Sequence, residues 1–324
     1  MLSFVIRRLL VSIPVVIAAS IFVFVLVAAA GDPLAELRAI PNVSAATIEL
    51  RERQLNLDKS IPERYVIWAG NAVTGDFGQT IAGQDVGERI GRAFGVTLRM
   101  VLLATLLAVL VSIFLGVVAA VRQYSITDYS STFFAFVFFS MPVFFLAGVL
   151  KDVAIRVNQG LGETVFYTVG ERSPNLTGNF FERLPNVAGH LALPTLTLAL
   201  ISMAGWSRYQ RASMLDVLNS DYIRTARAKG LPERSVIYKH ALRNALIPLT
   251  SVVAIGFAGL IGGAVVAETV FAWQGLGRVL IEGIRTQDVN VVTAWLILTA
   301  LVVVIFNALA DVIYAYLDPR IRRG

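Results

Sequence analysis

The chain has 324 residues, of which 56% are apolar and 15% charged, and carries a net charge of +6. Soluble domains hold about 25% charged residues, so a surface this poor in charge excludes a fold that faces water all round. The absence of cysteine excludes disulfides, thiolate metal sites and cysteine nucleophiles, and in so apolar a chain the positive charge reads as a topology signal, not a nucleic-acid footprint.

A membrane-spanning helix needs about 20 mainly apolar residues. Six stretches qualify in chain order: Leu9–Ala30, Thr97–Val121, Ser131–Leu150, Val187–Trp206, Ile247–Ala267 and Val291–Tyr316. The first, preceded by Arg7 and Arg8, has the look of a signal peptide, but its apolar run outlasts the ~7–15 residues of a signal core and is expected to be retained. The fourth is the weakest, because Pro194 and several hydroxyl residues interrupt it; neighbouring helices and hydroxyls satisfy the backbone groups that proline frees. The expected fold class is therefore an all-α integral membrane protein of about six transmembrane helices.

The loops orient these spans. Arg7 and Arg8 precede the first, Arg208–Arg243 carries eight basic residues against three acids, and the tail ends in Arg320, Arg322 and Arg323. The positive-inside rule places all three in the cytoplasm, so a multi-pass chain with both termini cytoplasmic is expected. Gly31–Val96, Lys151–Asn186 and Glu268–Asn290 then lie outside. The implied organisation is residues 1–30 as the N-terminal end and first helix, and 31–96 as an external subdomain. Residues 97–317 form a five-helix core containing a loop over 208–246, and 318–324 a cytoplasmic tail. Within the external segment, Ala45–Leu57 reads as a helix and Pro62 opens another over Glu63–Ala72. Trp206, Trp273 and Trp295 are expected at the membrane interfaces.

No catalytic constellation emerges, so no catalytic residue is assigned and an enzyme is not expected. His190 and His240 lack metal-ligand spacing, and no Gly-rich phosphate loop is present; neither a metal nor ATP is expected on this chain. Arg99, Asp311 and Glu268 lie near span ends, where they read as boundary residues, not a proton relay. Gly256, Gly259, Gly262 and Gly263 allow close helix approach, either within the chain or against a second one. Phe133, Phe134, Phe136, Phe138 and Phe139 offer an apolar path lining or a lipid-facing surface; because they spread over every face of one helix, the lipid-facing reading is the expected one.

The distinctive segment is Asp216–Pro248. Asp221 is placed to cap a short helix over Tyr222–Lys229, Gly230 to end it, and Pro232 to open a second helix over Glu233–Ala245. A basic helix–turn–helix held between two spans offers a docking surface to a cytoplasmic protein; a solvated, topology-setting loop is the alternative.

The residues Asp221, Tyr222, Arg224, Thr225, Ala226, Ala228, Lys229, Gly230 and Leu231, followed by His240–Pro248, closely resemble the coupling loop of ABC importer permeases. The general form of that loop is E-A-A, three residues, G, nine residues, I-x-L-P. Ala226, Gly230 and Leu242 keep it; Arg224, Thr225, His240 and Arg243 depart from it in the manner of the oligopeptide and dipeptide branch. Gly31-Asp32-Pro33, Leu55–Pro62 and Gly75–Gly78 are similar to the same branch. So is Glu268–Gly277, which resembles E-T-V-F-x-W-P-G-L-G with Gln274 at the proline position. The resemblance implies a type I ABC importer fold and a permease that moves peptides by alternating access. It implies a second homologous permease, two cytoplasmic ATP-binding subunits that hold ATP and Mg, an external peptide-binding protein, and a bacterial cytoplasmic membrane. It also implies an external gate or binding-protein contact at Glu268, Phe271, Trp273, Gly275 and Gly277. A standalone secondary transporter or channel, and a nickel or glutathione importer of the same family, are the alternative functions.

Overall fold

The computed structural model describes residues 2–41, 43–174 and 177–317. The side chains of Arg7 and Arg8 and the basic tail 318–324 lie outside the described residues. Among the described residues the regular structure is helical, apart from an isolated bridge between Gln79 and Asp85. In chain order the helices are α1 Leu2–Ala29, α2 Ala35–Ala39, α3 Ala45–Gln54, α4 Ile61–Val73, α5 Val86–Val121, α6 Ile126–Ser140, α7 Val143–Leu161 and α8 Phe180–Leu218. They continue with α9 Asp221–Ala228, α10 Glu233–Ser235, a π-helical turn Val236–Ala241, α11 Leu242–Val270, α12 Leu276–Arg285 and α13 Val289–Leu317.

Five helical stretches are long and apolar enough to cross a membrane, and six if α6 and α7 count as one. The pair is bent by 108° where Ser131–Leu150 was expected to run straight. The cause is Pro142. The preceding Met141 adopts φ −80°, ψ 126°, as a proline demands of its predecessor, and Pro142 itself stands at the N-cap of α7. Pro194, by contrast, is absorbed within α8 without ending it.

Two spans exceed expectation in length. At about 1.5 Å per residue, the 36 residues of α5 and 39 of α8 reach well beyond a bilayer core of about 30 Å. The N-terminus of α8 is fixed by a reciprocal capping box: Glu182 N donates to Asn179 Oδ1 (3.1 Å) and Asn179 N to Glu182 Oε2 (3.0 Å). Its far end runs straight into the basic loop.

The chain divides into two compact units, one built chiefly on Arg99–Trp273 and the other on Ile6–Leu98 with Gln274–Val304. The second unit joins α1, the start of α5, α12 and the first half of α13 to the 31–96 segment. In that second unit Phe24, Trp68, Val86, Ile90, Leu276, Val279 and Val292 share one core. Asp288 knits it: its carboxylate accepts Ile81 N (2.9 Å) and caps α13 through Val291 N (3.2 Å). The predicted external helices appear as α3 and α4. Ser60 N (3.0 Å) and Ser60 Oγ (2.8 Å) both donate to Glu63 Oε2 at the start of α4.

In the first unit α8 is the central helix, packed by α6, α7 and α11. A Cβ added to Gly116 of α5 would come within 2.6 Å of Gln210 Cβ and 3.0 Å of Arg211 N, so α5 and α8 cross in close contact there. Next to the crossing, Arg211 of α8 grips the buried Asp128 of α6 with two bonds (Nε–Oδ1 2.6 Å, Nη2–Oδ2 2.7 Å). Gly256 and Gly263 of α11 receive Trp206 and Leu198 of α8, so these two glycines serve packing inside the chain. A Cβ added at Gly259 or Gly262 would meet nothing within 4 Å among the described residues. Trp206 and Trp273 are buried and Trp295 is packed on the core of its own unit. Trp206 and Trp273 thus fill interior space, where interfacial anchors were expected from sequence.

Candidate functional site

The basic loop forms a short, rigid unit. Ser220, not Asp221, is the N-cap of α9; Asp221 occupies the first turn, where a carboxylate suits the positive end of the helix dipole. Thr225 Oγ1 returns to Asp221 O at 2.9 Å. At the other end Leu231 N bonds Ala226 O (3.4 Å) and Gly230 N bonds Arg227 O (2.9 Å), with Gly230 at φ +74°. That pairing is a Schellman cap, and the left-handed residue it requires is glycine here. Arg227 then spans the turn to Glu233 (Nη2–Oε1 2.7 Å), bracing α9 against the next helix.

Two faces of α9 have opposite roles. Ile223 and Ala226, three residues apart, are buried against Val117, Ala120, Met214, Val236, Ile237 and Ala241. The ends of α5 and α8 and the π-helical turn thus form a seat for α9. Tyr222, Arg224, Thr225, Ala228, Lys229, Gly230 and Leu231 are exposed. Of the sequence-predicted coupling residues, Ala226 alone faces inward. Tyr222 is partly held by Asn244, whose Nδ2 donates to its hydroxyl at 2.8 Å. The expected second helix, Glu233–Ala245, does not stop. It passes through the π turn and continues as α11, so Glu233–Val270 is one long helical stretch. Sequence reasoning missed the anchors Ile223, Val236 and Ile237 and the Arg227–Glu233 brace; the three-residue spacing of Ile223 and Ala226 was the available signal for the first.

The second predicted group lies at the opposite end of α11. Glu268, Phe271 and Trp273 are buried, as are Gly275 and Gly277. Trp273 N bonds Glu268 O (2.8 Å) and Ala272 stands at φ +55°, so α11 also ends in a Schellman cap, with alanine in the left-handed position. Lys151 Nζ donates to Val270 O (2.9 Å), a cation at a helix C-terminus. Gly170 N donates to Phe271 O (2.8 Å), and His190, stacked on Tyr167 at 4.2 Å, contacts Gly170 O through Nδ1 at 2.9 Å. Glu268, Phe271 and Trp273 therefore sit buried in a packed knot with Lys151, Gly170 and His190 around the end of α11. Gly275 is the N-cap of α12, and Leu276 N there bonds Thr97 Oγ1 (2.8 Å).

A family model described as "Binding-protein-dependent transport system inner membrane component" matches residues 112–323, and its N-terminal companion matches residues 1–97. The oligopeptide transport system permease protein OppB of Mycobacterium tuberculosis is 43% identical over 317 residues, covering 98% of each chain. The oligopeptide transport system permease protein AppB of Bacillus subtilis is 41% identical over 324 residues, covering 99% of each. A solved structure of the MetNI methionine ABC transporter in an inward-facing conformation contains a chain similar in fold, with a TM-score of 0.54 at 18% identity. The match covers 71% of this chain and 96% of that one.

Proposed function

The chain belongs to the family of binding-protein-dependent transport system inner membrane components, and we propose that it is the first of two permease subunits in an ATP-driven peptide importer. Two cytoplasmic ATPase subunits hold ATP and Mg, and this chain binds no cofactor of its own. An external peptide-binding protein delivers cargo to the pathway formed with a second, homologous permease. The names of the relatives at 43% and 41% identity support the peptide cargo. In this reading the loop 208–246 and both termini face the cytoplasm, and the 31–96 segment faces outward.

The carrying observation is the seating of α9. Its exposed face, with Arg224, Thr225, Ala228 and Lys229, fits a cleft on an ATPase subunit, while its buried face is packed on α5, α8 and the π turn. A helix capped at both ends and packed along one side moves as a lever. Displacement of α9 by closing ATPases passes to α8 through Met214 and to α11 through Val236 and Ile237. The π-helical turn, a widened ring in an otherwise α-helical rod, is a suitable place for the rod to flex. Glu268–Trp273 and the residues that follow hold the outer end of α11 as an internal gate scaffold.

The test is transport in proteoliposomes. With its partner subunits and binding protein, the chain is expected to accumulate labelled peptide only when ATP is present. Accumulation driven by an ion gradient with no ATPase subunit would support the standalone transporter instead.

A further inference from the structure

The 31–96 segment, Phe24 of α1 and the start of α13 line an open cleft of about 430 Å³, inside the range of roughly 300–1,000 Å³ typical of small-ligand sites. Phe24, Leu55, Ile67 and Trp68 give it an apolar part, and most of the remaining lining is polar.

Arg64 of α4 is the one cation lining it. Among the described residues of the segment, every other arginine has an acceptor. Arg38 pairs with Asp32 and Glu52, Arg53 with Glu49, Arg89 with Glu282 and Arg92 with Glu88. Arg51 donates to Gln54 and Ala82. Arg64 has none: its guanidinium lies 5.9 Å from the Phe24 ring, and Nε is buried without an acceptor among the described residues. Burial pushes this guanidinium down from its usual range. A half-buried cation without a counter-ion is costly, and a carboxylate, which takes two parallel bonds from arginine, relieves that cost.

The rest of the lining complements a peptide backbone. The carboxamides of Asn56, Asn71 and Gln79 make no hydrogen bond among the described residues, and each offers both donor and acceptor. Asp76 and Asp85 each use one oxygen on a turn amide (Gly78 N at 2.8 Å, Glu88 N at 2.7 Å); their negative charge is not matched by a lining cation other than Arg64.

We infer that this cleft is a peptide-receiving site on the permease itself, holding a short peptide by its carboxylate at Arg64, by its amides at the free carboxamides, and by its ammonium near Asp76 and Asp85. This rests on the peptide reading above. An arginine without an acceptor, two carboxylates each bonded to a single turn amide, and free carboxamides lining one cleft are an arrangement that a zwitterionic chain neutralises, and it is not one that a lipid tail or a simple anion satisfies.

The experiment is calorimetric titration of the full chain in lipid nanodiscs with tri-alanine and with its C-terminal amide. The free acid is expected to bind in the micromolar to millimolar range, and the amide at least about tenfold more weakly, a difference of about 1.4 kcal/mol. Arg64→Gln is expected to show the same loss for the free acid, and Arg64→Lys a smaller one. Because Arg64 is half-buried, the exposed Asn71→Asp serves as a second variant, expected to weaken the acid more than the amide. Equal binding of acid and amide overturns the site. So does unchanged affinity in both Arg64→Gln and Asn71→Asp, or no binding at millimolar peptide. ATP-driven uptake of tri-alanine by the assembled transporter separates the two readings. Uptake without binding removes the site and keeps the importer, whereas binding without uptake keeps the site and removes the importer.

Discussion

Gly230 and Ala272 occupy the same place in two helix caps, at φ +74° and +55°. A side chain at Gly230 meets nothing within 4 Å, so the penalty for substitution is backbone strain alone, roughly 1–2 kcal/mol and more for a β-branched residue. Gly230→Val is therefore expected to leave the protein in the membrane and to cut ATP-driven uptake, because the end of α9 loses its fixed geometry; normal uptake would contradict this. Ala272 bears the converse strain. Ala272→Gly is expected to raise the melting temperature in detergent by relieving up to about 1 kcal/mol; a lower melting temperature would show that the cap is not as described. The position of Gly230 was legible, since a glycine between a helical run and a proline is a strong stop signal. The cap at Ala272 was not, because alanine carries no such signal and only the bond from Trp273 N to Glu268 O reveals it. Ala226 shows the same limit. Its place in a coupling-loop pattern is readable, but which way it faces depends on α5 and α8, far away in sequence. Ile223→Ala, which empties space in that seat, is expected to cost about 2–5 kcal/mol locally and to expose Arg227 and Lys229 to limited trypsin cleavage faster than in the wild type.

The spans were legible as apolar runs, because lipid imposes a minimum length that composition alone can show. Their breaks were less so. Pro142 and Pro194 both lie in expected spans, yet Pro142 ends a helix and Pro194 does not; the residue type alone does not separate the two. The close crossing at Gly116 was likewise invisible, since it needs Gln210 and Arg211 opposite. Gly116→Val would drive α5 away from α8, and overpacking of this kind costs about 1–3 kcal/mol. A melting temperature several degrees lower is expected, with Gly259→Val, where nothing lies within 4 Å in this chain, as the contrast. Equal effects would mean that α5 and α8 do not meet at Gly116, or that Gly259 is packed against a second subunit.

For the whole molecule, sequence conveyed an all-helical membrane chain with a basic loop, and the structure adds how the loop is mounted. Its seat joins α5, α8 and the long helix through the π turn, so a push on α9 reaches several spans at once. The buried packing of Glu268–Trp273, expected as an outer contact, places shape-holding residues at the far end of the same rod. The central claim is that the exposed face of α9 docks an ATPase while the buried face only seats the helix. It is tested most directly by purifying the tagged chain in mild detergent, as wild type and as Arg224→Glu/Lys229→Glu, both on the exposed face, and identifying what comes with it. The account predicts that the wild type brings a second permease and the ATPase subunits, and that the variant keeps the permease and loses the ATPases. A wild type that purifies alone, or a variant that retains its ATPases in full, would contradict it.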